Sequence, residues 1–189
     1  MKGRSGDSDA ELLRRIGDGD ALAVALLYDR HAPLLFALAR RIVRDEPEAE
    51  DVLHDAFVLV AARARQYVPE RGAVGAWLVT LVRNLSIDRM RRRNRHGAIT
   101  RDVLGPETRI ASRGPDPERE LAGAAERDRV RKALAALPEV QRATLEDAFY
   151  GGLTYAEIAA RDNVPLGTIK SRAARALAAL RDALGEPEP

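Results

Sequence analysis

Apolar residues recur along this chain at helical spacing and nowhere at the alternation of a strand. A capping box, Ser8-x-x-Glu11, opens a first short helix whose stripe is Leu12, Leu13 and Ile16. Asp18-Gly19-Asp20 reads as a turn. From Ala21 to Val43 the positions Val24, Leu27, Leu34, Leu35, Leu38 and Ile42 keep the period, with an interruption expected near Pro33. Pro47 starts another helix, with Val52, Leu53, Ala56, Phe57 and Val60 on one face. After a loop at Val68–Gly72, a long helix carries Trp77, Leu78, Leu81, Val82 and Leu85 and runs out into arginines. Residues 96–121 lose the pattern: Gly97, Gly105, Pro106, Gly114, Pro115 and Pro117 punctuate a polar stretch that reads as a flexible interdomain linker. Helices then resume with Val130, Leu134 and Leu137, and again from Glu139 to Tyr150, ended by Gly151-Gly152. The predicted fold is all-α. A tail and short helix occupy 1–19, one helical domain 20–95, the linker 96–121, a second domain 122–185 and a tail 186–189; residues 1–7 are expected to be disordered.

The second domain ends in a helix-turn-helix pattern. Thr154-x-x-Glu157 is another capping box, and Ala156, Ile158 and Ala159 give the short helix that follows its small apolar contacts. Asp162–Val164 forms the turn, and Pro165 opens the next helix, where its missing N–H is harmless. At about 100° per residue, Ile169, Ala173, Ala176, Leu177 and Leu180 fall on an inward face. Gly167, Ser171, Ala174, Arg175 and Ala178 point the opposite way, flanked by Thr168, Lys170 and Arg172. Small residues that let a backbone enter the major groove, a few base-reading side chains and flanking cations make a recognition helix. The same pattern also fits an ordinary amphipathic helix with a solvated basic face.

Composition narrows the classes. The 189 residues are 46% hydrophobic but only 4% aromatic, and the net charge is +2, so affinity for nucleic acid must come from local patches. There is no cysteine, and His31, His54 and His96 are not spaced like a metal site. No Gly-rich phosphate loop, nucleophile elbow or carboxylate pair is evident, so no enzyme, cofactor or metal is expected. No stretch is read as approaching the apolar length of a membrane span, and no signal peptide is recognised, so direct membrane insertion is not expected and a cytoplasmic protein is the simplest reading.

Two charge clusters remain. Arg83, Arg89, Arg91, Arg92, Arg93 and Arg95 crowd the end of the Trp77 helix against one acid, Asp88, and are more than a helix C-terminus needs. Asn84 and Asp88 share a face there, and Tyr67 with the Arg71-Gly72 loop sits just upstream, as where single-stranded bases stack. Asp45, Glu46, Glu48, Glu50, Asp51 and Asp55 form an acidic run that suits the first turns of a helix and by itself fits a solvated face.

With both halves in view, the chain resembles a bacterial sigma factor of the extracytoplasmic-function type over roughly residues 20–95 and 122–184. AEDVLHDAF at Ala49–Phe57 is similar to the family's polymerase-binding signature. RGAVGAWLVTLVRNLSIDRMRRR at Arg71–Arg93 is similar to the segment that melts and reads the −10 promoter element. GLTYAEIA and VPLGTIKSRAARALAALR resemble the helix-turn-helix that reads the −35 element. The three in this order are far more specific than any one. The resemblance implies that Glu50, Asp51 and Asp55, with Val52 and Phe57 behind them, dock on the β′ clamp helices of core RNA polymerase, and it adds the β flap as a second contact. It gives Asn84, Asp88 and the Tyr67–Gly72 loop, Arg71 included, the non-template strand at −10, where a base is flipped out. It gives Arg89, Arg91, Arg92 and Arg93 the neighbouring backbone. Thr168, Ser171 and Arg175 would face −35 bases, Lys170 and Arg172 the phosphates, and Thr154 joins this set. It also implies an anti-sigma factor, often membrane-anchored, around which the linker lets the domains close.

Three departures stand out. His54 replaces a common Gln, Ala61 stands where a Trp often packs, and Arg161-Asp162-Asn163 replaces Ile-Leu-Gly before the turn. Asn163 can take the left-handed conformation that Gly supplies, whereas Asp162 has no rationale in the sequence. Two other classes fit parts of the chain: a free-standing helix-turn-helix regulator, which would bind duplex DNA without polymerase, and a helical protein-binding adaptor, which would ignore forked or single-stranded promoter DNA.

Overall fold

A computed structural model describes residues 6–95 and 128–185. The predicted linker at 96–121 and the tail at 186–189, with His96, lie outside them. Helix α1 (Asp9–Gly17) begins at the Ser8 capping box, in which both reciprocal hydrogen bonds are made. Its Leu12, Leu13 and Ile16 are buried in the same core as the helices that follow, so α1 is a wall of the first unit. Arg65 Nε donates to the Gly17 carbonyl at its end (2.7 Å). Asp7, expected in a disordered tail, accepts an ion-paired hydrogen bond from Arg15, which also holds Asp20 (2.6 Å).

Asp20 caps α2 (Ala21–Val43) by accepting from Leu22 N–H at 2.9 Å. The helix runs unbroken through Pro33, contrary to the expected interruption. Pro33 lies on the solvent face, and Asp29, whose carbonyl loses its helical partner, is exposed too, so water can satisfy that oxygen. The same geometry leaves Leu34 57% exposed, outside the stripe it was assigned to. In length and mean hydropathy (1.4 over its best window) α2 does meet the measure of a membrane span, a correction to the sequence reading. Its Ala23, Leu27, Leu35, Ala39 and Val43 are nonetheless packed in the core. Arg44, in the left-handed conformation (φ 58), closes the helix with its N–H on the Arg40 carbonyl.

Asp45 caps α3 (Glu46–Arg63), which packs Ala49, Val52, Leu53, Ala56, Phe57 and Val60 inward. A short 3-10 turn at Ala64–Gln66 and another at Pro69–Arg71 lead into α4 (Val74–Arg95). Leu78 and Val82 complete the core, and the buried Ser86 hydroxyl is satisfied by the Val82 carbonyl (2.7 Å).

The second unit is smaller. Helix α5 spans 128–135 of the described residues, α6 Glu139–Phe149, α7 Tyr155–Asp162 and α8 Leu166–Leu184. Gly152 at positive φ (64) turns the chain from α6 toward α7. Ile158, Ala159 and Ile169 form the helix-turn-helix core, with Ala148, Leu153, Tyr155 and Val164 packed around them. Two predicted inward positions face solvent instead: Ala156 is exposed, and Leu177 is 50% exposed. A partner helix covers only part of the apolar arc that periodicity defines. No strand occurs among the described residues.

Candidate polymerase and nucleic-acid surfaces

The acidic run and the arginine cluster are far apart in sequence but adjacent in space. On α3, Glu48, Asp51 and Asp55 rise one turn at a time along one face, and on α4 Arg89 and Arg93 do the same. The helices lie side by side so that Arg93 Nη1 donates to Glu48 (3.2 Å) and Arg89 Nη2 to Asp51 (2.5 Å), with Arg89 Nη1 3.8 Å from Asp55. Arg93 also donates to the Val43 carbonyl at the end of α2 (2.8 Å), which staples the α2–α3 corner. The structure thus gives Arg89 and Arg93, both expected on DNA, acidic partners within the domain. Glu50, one residue round the helix, is exposed, and Val52 and Phe57 are buried behind the acids.

Asn84 and Asp88 are exposed on α4. Burial first, and then the like charge of Arg91, lower the Arg83 pKa from the ordinary arginine value. Upstream, Tyr67 packs on Trp77 (5.9 Å between ring centroids), and its hydroxyl donates to the Gly72 carbonyl (2.9 Å). That bond pins the Val68–Gly72 turn against the domain, with Arg71 exposed at its tip. Gly72 sits at φ 126, ψ 172, a region that a residue with a Cβ scarcely enters.

On α8 the three candidate base-facing residues form a chain. Arg175 donates to Ser171 Oγ (3.2 Å), and Ser171 donates to the Thr168 carbonyl one turn earlier (2.9 Å). Lys170 and Arg175 are exposed, while Thr168, Ser171 and Arg172 are half-buried. Thr154 is the N-cap of α7: its Oγ1 accepts from Glu157 N–H at 3.2 Å, and Glu157 accepts from Thr154 N–H at 2.6 Å. Asn163 is left-handed (φ 54, ψ 47), as the turn requires. Asp162 gains its rationale here. It accepts from Arg161 (2.8 Å), which reaches back to Asp147 on α6 (2.6 Å), so a bridge of charge replaces apolar packing at that corner. Those hydrogen bonds, first to Asp147 and then to Asp162, raise the Arg161 pKa above its ordinary value.

His54 and Ala61 are exposed, and His31 is engaged with Asp9 at 2.7 Å. Among the described residues no group of His, Asp or Glu is arranged to hold a metal ion. The α3–α4 pairing is what sequence reasoning missed. The available signal was the matched one-turn spacing of opposite charges on two helices, Glu48/Asp51/Asp55 and Arg89/Arg93.

Comparison with known proteins identifies the family. Residues 27–96 match the sigma-70 region 2 family and residues 133–182 match sigma-70 region 4. The chain is 35% identical over 189 residues to the ECF RNA polymerase sigma factor SigK of Mycobacterium ulcerans, covering 96% of each. It is 35% identical to SigK of Mycolicibacterium vanbaalenii, over 92% of this chain and 88% of that one. Among solved structures, SigE of Rhodobacter sphaeroides, in complex with the anti-sigma ChrR, is 34% identical over 96% of this chain and 99% of that one, with a TM-score of 0.46. The chain belongs to the sigma-70 superfamily, among the extracytoplasmic-function RNA polymerase sigma factors. It is a promoter-directing factor for transcription initiation, and the regulator and adaptor readings are not favoured.

Proposed function

We propose that the first unit docks on core RNA polymerase through the exposed carboxylates Glu50, Asp51 and Asp55, held in register by buried Val52 and Phe57, and that the clamp helices of β′ supply the matching cations. On the other side of α4, Asn84 and Asp88 read the non-template strand of the −10 element. Arg89, Arg91, Arg92 and Arg93 neutralise its backbone, and the Tyr67–Gly72 turn with Arg71 receives an unstacked base, at a cost of a few kcal/mol. The second unit reads −35 with Thr168, Ser171 and Arg175, and Lys170 and Arg172 take phosphates. Thr154, at the mouth of α7, completes that footprint, and the β flap holds the unit on the polymerase.

One observation carries the reading for −35: the Arg175–Ser171–Thr168 hydrogen-bond chain along α8 holds a guanidinium, a hydroxyl and small neighbours on one face before any DNA arrives. A preordered side chain loses less entropy on binding. The chemistry of nucleotide addition belongs to the polymerase, so the protein works in the cytoplasm by recognition alone. Its partners are core polymerase, promoter DNA and an anti-sigma factor that covers the docking surfaces. Run-off transcription with cognate core polymerase on genomic promoter fragments tests the whole. Specific transcripts that appear only with this chain support it, and no transcripts together with no co-elution with core overturn it.

A further inference from the structure

The α3–α4 charge ladder has two unlike rungs. The inner one, Glu48–Arg93, is the more enclosed, its carboxylate only 27% exposed, and Arg93 is tied a second time to the Val43 carbonyl. It is scaffold. The outer one joins Arg89 to Asp51 and Asp55, whose side chains are 63% and 60% exposed. Among the described residues no other ion pair or hydrogen bond of its side chain holds Arg89, and both acids stand open to solvent. That rung can be exchanged without unpacking the core.

We infer that Arg89 is a coupling residue: in the free chain it occupies the carboxylates that polymerase must engage, and docking releases its guanidinium toward nucleic acid. The inference rests on the proposed roles of Asp51 and Asp55 in docking and of Arg89 on the DNA backbone. A cationic partner surface competes with Arg89 for the same two carboxylates. Once displaced, Arg89 is a cation on a helix already crowded with cations and finds its next counter-charge in a phosphate. By linkage, polymerase then raises affinity for DNA, and DNA raises affinity for polymerase by the same factor. The size of the coupling is bounded by the pair itself. Exposed pairs of this kind correspond to about two- to fivefold in an equilibrium.

The distinguishing experiment measures affinity of the full chain for cognate core polymerase and, in the holoenzyme, for a labelled single-stranded oligonucleotide of mixed sequence. Arg89→Gln should bind core about two- to fivefold more tightly than wild type while its holoenzyme binds the oligonucleotide more weakly, and the first gain should shrink as salt rises. Arg95→Gln is the charge control, because among the described residues Arg95 bonds to the Arg91 carbonyl of its own helix (3.4 Å) and to no carboxylate. A merely structural Arg89 would weaken both affinities. Equal or weaker binding of Arg89→Gln to core, or a gain matched by Arg95→Gln, overturns the coupling. In a second arm the free chain carrying Asp51→Asn should bind the oligonucleotide about two- to fivefold more tightly than one carrying Glu50→Gln, which removes the same charge one residue away. Equal shifts overturn the inference even if Arg89→Gln does not fold. If Asp51→Asn instead binds core as wild type does, the docking role itself fails and takes the coupling with it.

Discussion

Replacing Ile169 by alanine tests whether α7 and α8 are locked by the small core described above. Ile169 is fully buried (0% exposed) against Ile158 and Ala159. The change removes three carbons. At ~0.8 kcal/mol for each buried carbon the transfer loss is ~2.4 kcal/mol, and the unfilled cavity brings buried Ile→Ala substitutions to about 2–5 kcal/mol. A domain of about 60 residues holds only ~3–9 kcal/mol in total, so this one change can unfold much of the second unit. Leu177→Ala is the companion. It lies on the same helix and was placed on the same inward face by periodicity, but it is 50% exposed and should cost under about 1 kcal/mol. Chemical unfolding followed by far-UV circular dichroism gives the two values on the full chain, and amide exchange in α7 and α8 localises them. Equal losses for Ile169→Ala and Leu177→Ala would refute the packing argument, as would a loss below about 1 kcal/mol for the former.

Arg175→Ala should cost about 1–3 kcal/mol in promoter binding by the holoenzyme and relax preference at one −35 position; a uniform loss over all sequences would make it a phosphate contact. Gly72→Ala meets no atom within 4 Å of the added Cβ, so its expected cost of ~1–3 kcal/mol in stability is backbone strain alone, and thermal unfolding at wild-type Tm would contradict it. The Arg15 hydrogen bond, with help from the Leu22 N–H, holds the Asp20 carboxyl below its ordinary value of 3.8. Its contribution is therefore complete above that pH and lost as pH falls through the lower folded value. The Tm difference between wild type and Asp20→Asn should close over the same acid range, and a difference that stays constant there would argue against the pairing.

Much of the fold was legible because helix signals are local. The Ser8 and Thr154 capping boxes act within one turn, and Asn163 takes the left-handed conformation because the residue type permits it wherever the turn needs it. The order of helices, the helix-turn-helix and the family resemblance all follow from such short-range patterns. Periodicity also told which face of a helix is apolar, but not how wide a partner would cover it. Ile169 and Leu177 carry the same signal, and only the position of α7 buries one and leaves the other in water. Pro33 likewise breaks a helix in isolation, yet α2 continues with Pro33 and Asp29 on its exposed face, where water can satisfy the orphaned carbonyl. What no local pattern could supply was the meeting of α3 with α4. Asp51 and Arg89 stand 38 positions apart, and an ion pair over that separation exists only after the core has fixed the two helices side by side. The sequence by itself determined which residues could carry charge, turn or cap, since these are properties of single side chains and their nearest neighbours. The tertiary structure decided which charges are already partnered, because that depends on distances set by packing.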